Sequence, residues 1–338
     1  MRNKIGKAIV LGIFAAVIVM GASPASAITT IRYATFFTPA YPELFPAMSK
    51  FVETVNAKGK GIVKVDFFHS ETLLKANDLF AGLIGGSAEA VTVPMVYWHG
   101  TLPISQGLSL PSIWKGDLNR YNNSLAPGTP LAKFLNENFA KKNLFCFFGV
   151  VDDQEYLWTK GRNVKSLEDA KGMKIRTSGL IPSEVMKRLL ASPLSMPSPD
   201  VYTALQRGTV DGLLGSITTI YSRSLQEQVR YMTRYPFDNF GPELIAVRKD
   251  WWDKQPDEVK TILQEGAKVY RDVLYSKSMQ VTEEQINVIK KQVQFTDPSH
   301  EAKEGFNKAL LPMYDWWVNR PEVGEGGKKI LELIRATE

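Results

Sequence analysis

Two twelve-residue stretches at a constant offset of 122 positions constrain this chain most: 79–90 (LFAGLIGGSAEA) and 201–212 (VYTALQRGTVDG). Each is a helix-like run, then a Gly, a Ser or Thr, a small apolar residue, an acid and a small residue opening a strand. The Gly suits a left-handed helix cap, and the small residue after the acid allows close backbone approach. Two unrelated helix–turn–strand units would give the same local pattern. Two lobes of like architecture would also bring two strand ends to one cleft, because ligands of open α/β sheets bind beyond the carboxyl ends of strands. That arrangement puts Pro94 and Met95 on one wall, and Gly215 and Ser216 on the other.

The surrounding pattern agrees with an α/β class. Strands are predicted at 31–35, 62–68 and 91–93, the last stopped by Pro94, with helices at 44–59 and 73–84. The second half repeats the scheme, with strands at 145–151 and 173–177 and helices at 183–190 and 199–206, the latter with Ser198 as a candidate N-cap. Residues 243–247 read as a strand crossing back. A long helical region, straight or broken, begins at Pro256 and reaches 292, and further helices are predicted at 299–317 and 327–335.

The N-terminus reads as an export signal. Arg2, Lys4 and Lys7 precede a thirteen-residue apolar run, 8–20, and Ala25-Ser26-Ala27 supplies a cleavage pattern. The run is too short for a membrane span, which needs about 20 residues. Cleavage after Ala27 would leave 38 basic and 35 acidic residues, so half of the formal +6 charge belongs to the signal. The mature chain is then expected in the periplasm, where the lone Cys146 in its apolar setting suits a buried structural thiol.

Several chemistries lack a local signature. His69, His99 and His300 are not at metal-ligand spacing, and there is no G-x-S-x-G elbow, phosphate-binding loop or dinucleotide fingerprint. A Ser/His/Asp site assembled only in three dimensions stays open. The Lys58–Lys60 and Lys290–Lys291 clusters lack the interleaved aromatics of a nucleic-acid surface. No cofactor, metal or nucleic acid is expected.

Residues 166–176 (SLEDAKGMKIR), 196–202 (MPSPDVY) and 204–212 (ALQRGTVDG) resemble the DctP-type solute-binding proteins of TRAP transporters. The likeness extends over essentially the whole mature chain. It implies a two-lobed periplasmic binding protein-like fold, with hinge strands and a long helix spanning both lobes. It also implies an organic anion closed between the lobes and handed to the membrane subunits of a TRAP permease. The expected organisation is a signal peptide at 1–27, lobe I at 28–153 plus 242–281, and lobe II at 154–241 plus 282–338, in a monomer. The resemblance makes Arg176 the ligand anchor. Its planar fork fits a carboxylate through two parallel hydrogen bonds and stays charged. Read locally, Arg176 has two other outlets: pairing with an acid such as Asp211, or exposure on an edge strand.

Departures from the family bear on specificity. Tyr156 stands where sialic-acid-binding relatives carry a second arginine, Gly215 where many carry an asparagine, and Pro94 near a position often polar or acidic. Leaving a ligand's polar groups unpaired is costly. The expected ligand is therefore a monocarboxylate with an aromatic or otherwise apolar body. The candidate ligand-binding residues are Arg176 and Tyr156, with Phe36, Phe37, Tyr41, Met95, Trp98 and Trp158. Met196, Gly215, Ser216, Asn239 and Phe240 complete the set. A dicarboxylate, keto acid or sugar acid is the alternative ligand. An ABC-type receptor, told apart by the helix after Pro256, and a secreted hydrolase using the same cleft are the alternative functions.

Overall fold

Apolar residues recurring one helical turn apart give α1 (Leu44–Lys58) its buried face of Leu44, Met48, Phe51 and Val55. A computed structural model describes residues 28–151, 153–239 and 241–337. The expected export signal and the candidate Phe240 lie outside the described residues. The chain starts with β1 (Thr29–Thr35) and passes through α1 to β2 (Val63–Phe68), α2 (Leu79–Ile84) and β3 (Ala90–Pro94). Then come α3 (Leu118–Ser124), α4 (Pro130–Ala140) and β4 (Leu144–Phe148). The next stretch holds β5 (Gln154–Thr159), α5 (Leu167–Ala170), β6 (Lys174–Thr177), α6 (Leu180–Arg188) and β7 (Ser192–Ser195). It continues with α7 (Val201–Gln206), β8 (Gly212–Gly215), α8 (Ile217–Ser222) and β9 (Tyr231–Asn239). The chain ends with β10 (Glu243–Arg248), α9 (Lys249–Asp253), α10 (Asp257–Ile289), β11 (Gln294–Thr296), α11 (His300–Leu310), α12 (Met313–Val318) and α13 (Gly324–Arg335).

Two sheets result, in the orders β2-β1-β3-β10-β4 and β11-β9-β5-β8-β6-β7. In the first, β10 runs antiparallel between β3 and β4, so the chain returns to it after building the second. The two crossings, after β4 and before β10, lie side by side: the Gly149 amide donates to the Glu243 carbonyl at 2.7 Å. Arg271 of α10 secures the first crossing by donating to the carbonyls of Phe148, Gly149 and Asn122. The helix α10 is continuous and packs on both α1 and α8, so it bridges the two layers. Gly266 permits its approach to α1, since a Cβ there would stand 2.6 Å from Val55 Cγ2.

The offset repeat is structural. Gly86 and Gly208 both adopt left-handed φ, 77° and 71°. Ser87 N–H donates to the Gly82 carbonyl at 2.7 Å and Thr209 N–H to the Ala204 carbonyl at 2.9 Å, the same cap closed twice. The acids that follow do equivalent work. Glu89 accepts from the Arg32 amide of β1 at 2.8 Å, and Asp211 from the Lys174 amide of β6 at 2.8 Å. Each carboxylate thus locks its cap to the neighbouring parallel strand. Asp211 is thereby committed to β6's backbone and does not pair with Arg176.

Several elements differ from the sequence reading. The helix expected from residue 73 starts at Leu79, because left-handed Ser70 and Glu71 and a 3-10 turn at Ala76–Asp78 precede it. The helix expected over 299–317 divides into α11 and α12, since Pro312 cannot continue the hydrogen-bond ladder. Ser198 does not cap α7; it opens a 3-10 turn instead. Strands β5, β7, β9 and β11 had no predicted counterpart. β7 is an edge strand containing Pro193, and β9 bulges around Pro236, with Glu155 opposite Asp238 but Leu157 opposite Thr233. The tail expected in lobe II also divides. α11 packs on α5 and α6, whereas α13 packs on α4 and the 3-10 segment Pro103–Ser109 beside the first sheet. Trp317, fully buried, donates Nε1–H to Gln106 Oε1 at 3.1 Å there, which anchors the tail to that side.

Candidate functional site

The strand β6 lies between β7 and β8, and Arg176 near its carboxyl end is only 1% exposed. Its Nε–H donates to the Met196 carbonyl at 2.9 Å, and Nη1 reaches the Leu214 carbonyl at 3.4 Å. Among the described residues it forms no ion pair. Carbonyls aim the guanidinium without neutralising it, and among the described residues no hydrogen bond engages Nη2. Burying a charge this way is costly unless a partner arrives.

Arg176 lines a small cavity between the lobes. The second-sheet side adds Ser198, Ser216, Thr218 and Thr219. The first-sheet side supplies Phe36, Phe37, Tyr41, Leu44, Pro94 and Tyr97, and Glu243 enters at the start of β10. The space is about 10 Å³, room for about one water.

The aromatic wall is packed within itself. Phe36 lies 4.3 Å from Phe37 and stacks on Tyr97 at 5.4 Å, and Phe37 meets Tyr41 edge-on at 4.9 Å. Contacts cross from lobe to lobe around this wall. The Ser198 amide donates to the Tyr97 hydroxyl at 2.7 Å. Arg223, just past α8, donates Nε–H to the Tyr41 hydroxyl at 3.0 Å and lies 5.4 Å over that ring and 5.9 Å over Phe36. From α10, Gln285 accepts from Thr218 and donates to Glu43, each at 3.3 Å. Ser216 caps α8, its Oγ accepting from the Thr219 amide at 3.1 Å.

The sequence candidates separate into groups. Arg176, Phe36, Phe37, Tyr41 and Ser216 meet in the cavity. Met196 contributes its carbonyl to Arg176 and, with Trp98, lines a neighbouring interlobe groove of about 640 Å³ on the other side of Tyr97. Met95 is buried in the first core. Trp158 is core as well, donating Nε1–H to the Gly215 carbonyl at 2.8 Å, which turns both away from the cavity. Tyr156 packs against the second core cluster, and burial pushes its hydroxyl pKa up. Asn239 ends β9 opposite Gln154.

Polar groups at the site were not read from the sequence: Glu243, Thr218, Thr219 and, behind Arg176, Glu155. Strand alternation is the only signal that could have found Glu155, because it puts residues 155 and 157 on one face and Tyr156 on the other. Glu155 is wholly buried. Desolvation pushes its carboxyl up to about 7, against the opposing pull of Arg176 and a weak hydrogen bond from Ser178. Among the described residues, no group of three or more His, Cys, Asp or Glu could hold a metal ion, and no helix is long and apolar enough to cross a membrane.

Residues 34–320 match the family model described as bacterial extracellular solute-binding protein, family 7 (DctP). The chain is 26% identical over 277 residues to the C4-dicarboxylate-binding protein DctB of Bacillus subtilis, covering 79% of this chain and 76% of that one. It is 27% identical over 223 residues to a solute-binding protein of Albidiferax ferrireducens, covering 63% of this chain and 62% of the relative's length. Among solved structures, a TRAP periplasmic solute binding protein from Fusobacterium with bound sn-glycerol-3-phosphate superposes with a TM-score of 0.80 at 26% identity, covering 91% and 98% of the two chains. One from Desulfovibrio salexigens with bound orotic acid reaches 0.82 at 18% identity, with the same coverage. The chain belongs to the DctP family of bacterial extracellular solute-binding proteins, which are periplasmic receptors for small organic acids, not enzymes, and work with membrane permease components.

Proposed function

We propose that this chain is the exported, monomeric receptor of a TRAP transporter. It would capture an organic monocarboxylate with an aromatic or otherwise apolar body between its two lobes, one of 28–153 plus 242–281 with α12 and α13, the other of 154–241 with β11 and α11. One observation carries this reading: a buried arginine, held by carbonyls and without an ion pair among the described residues, faces a cavity walled by both lobes. The ligand carboxylate would take the Nη2 edge, and its body would lie among Phe36, Phe37, Tyr41 and Tyr97. Only the closed state touches the ligand from both sides, so binding energy shifts the population towards closure.

The Bacillus relative is named for C4-dicarboxylates, but a second carboxylate here would need a second cation. Among the described residues the cavity lining itself provides Arg176 as its cation, while Arg223 stands behind Phe36 and Tyr41 with its Nε–H on the Tyr41 hydroxyl. The test is calorimetry with aromatic, branched-chain, keto and hydroxy acids alongside dicarboxylates. Wild type should bind a monocarboxylate, and Arg176→Ala should lose that binding with the fold retained, since breaking such a buried pair costs roughly 3–5 kcal/mol. Undiminished binding by Arg176→Ala, or a preference for a dicarboxylate or sialic acid, would overturn the assignment.

A further inference from the structure

We propose that Glu155 sets the charge that the cleft accepts: its buried carboxyl, beside the Arg176 anchor, admits a monoanion and excludes a dianion. This rests on Arg176 being the carboxylate anchor.

Glu155 has 0% exposure on β5 and stands on the strand face opposite Tyr156. One carboxyl oxygen lies 3.4 Å from Ser178 Oγ, and the other has no hydrogen-bond partner among the described residues. Ser178 is two residues beyond Arg176, so the carboxyl is held at the carboxyl end of β6, where ligands of such sheets bind. The interaction with Arg176 favours the ionised form, and burial opposes it. Arg176 therefore already serves one internal acid through space while its Nη2 edge is available.

A ligand with one negative charge replaces part of what the guanidinium loses on burial. Among the described residues, a second negative charge on the same ligand gains no further cation from the cavity lining and meets the field of Glu155 behind Arg176. In a site shielded from water, unit charges within about 10 Å interact strongly enough to alter affinity by roughly tenfold. Discrimination by charge therefore requires no steric exclusion: the same cavity rejects a dianion of equal length.

The test is calorimetry at pH 8 with matched probes, butanoate against succinate and phenylacetate against homophthalate. Wild type, Glu155→Gln and Glu155→Asp are compared. Wild type should favour the monoanion of each pair. Glu155→Gln, which keeps the size and loses the charge, should narrow the ratio of dissociation constants roughly tenfold by tightening the dianion. Glu155→Asp should keep the wild-type ratio. A folded Glu155→Gln with an unmoved ratio overturns the role of Glu155 alone. Failure of all four probes on wild type, or equal binding by Arg176→Ala, overturns the anchor and this inference with it. Should Glu155→Gln not fold, wild-type selectivity at pH 6 and pH 8 decides. Among the described residues Arg176 and Ser178 are the groups that act on Glu155, and protonating Glu155 should tighten 1,2-ethanedisulfonate, a dianion at both pH values, relative to ethanesulfonate; no change overturns the proposal.

Discussion

The clearest energetic consequence of the site is a pH dependence of folding written by Glu155. Its carboxyl is raised from an ordinary 4.5 to about 7 in the folded protein, first because burial strips its hydration and despite the attraction of Arg176. A raised folded value means that the native state binds the proton more tightly than the unfolded chain. The contribution is thus fully present below pH 4.5 and is lost as pH rises through 7. At about 1.4 kcal/mol per pH unit, a rise from 4.5 to about 7 corresponds to at most about 3.5 kcal/mol. Glu155→Gln mimics the protonated form and has nothing to lose. Urea unfolding of both proteins between pH 4.5 and 8.5 isolates the effect as a difference curve, because the other titrating groups cancel. The variant should gain on the wild type as pH rises, by no more than about 3.5 kcal/mol over that range, with most of the rise between pH 5 and 7. A flat difference curve would refute a buried, strained carboxyl at this position. A curve falling with pH would show that Glu155 is stabilised as an anion.

Two further perturbations probe other parts of the mechanism. Arg223→Ala removes the hydrogen bond to Tyr41 and the guanidinium stacked over Phe36 and Tyr41, together about 1–2 kcal/mol of lobe-to-lobe contact. Stopped-flow dissociation should be roughly tenfold faster with little change in melting temperature, and an unchanged off-rate would remove Arg223 from closure. Gly212→Ala would put a methyl 2.2 Å from the Trp158 carbonyl across the β5–β8 pair. Overpacking of this kind costs about 1–3 kcal/mol, so the melting midpoint should drop by several degrees; an unchanged midpoint would mean that the two strands separate without penalty.

The outline of the fold was legible in the residues because it depends on short-range rules. The offset repeat is visible because a left-handed Gly, a small residue and an acid must follow one another in order to close a helix onto the next strand. That is the arrangement at Gly86–Glu89 and again at Gly208–Asp211. α1 announced itself by its 3.6-residue period, and the long helix by the absence of any proline between Asp257 and Ile289. Arg176 was found through a resemblance carried by the local motif around β6. By contrast β7 and β9, which carry prolines at an edge and a bulge, have no local pattern that marks them as strands.

What surrounds Arg176 was decided by tertiary structure alone. Counting twenty positions back along the chain points to Tyr156, but a strand sends neighbours to opposite faces, so the acid influenced by the guanidinium is Glu155. The aromatic residues were plentiful in the sequence. Only packing divided them into cavity wall (Phe36, Phe37, Tyr41) and core (Trp158). Glu243 reaches the cavity because β10 returns to the first sheet after some ninety residues of a different lobe, placing it opposite Pro94. Periodicity and capping act within a few residues and are therefore written along the chain. The cavity's lining depends on which side chains from distant strands meet in one space, and only the folded arrangement specifies that.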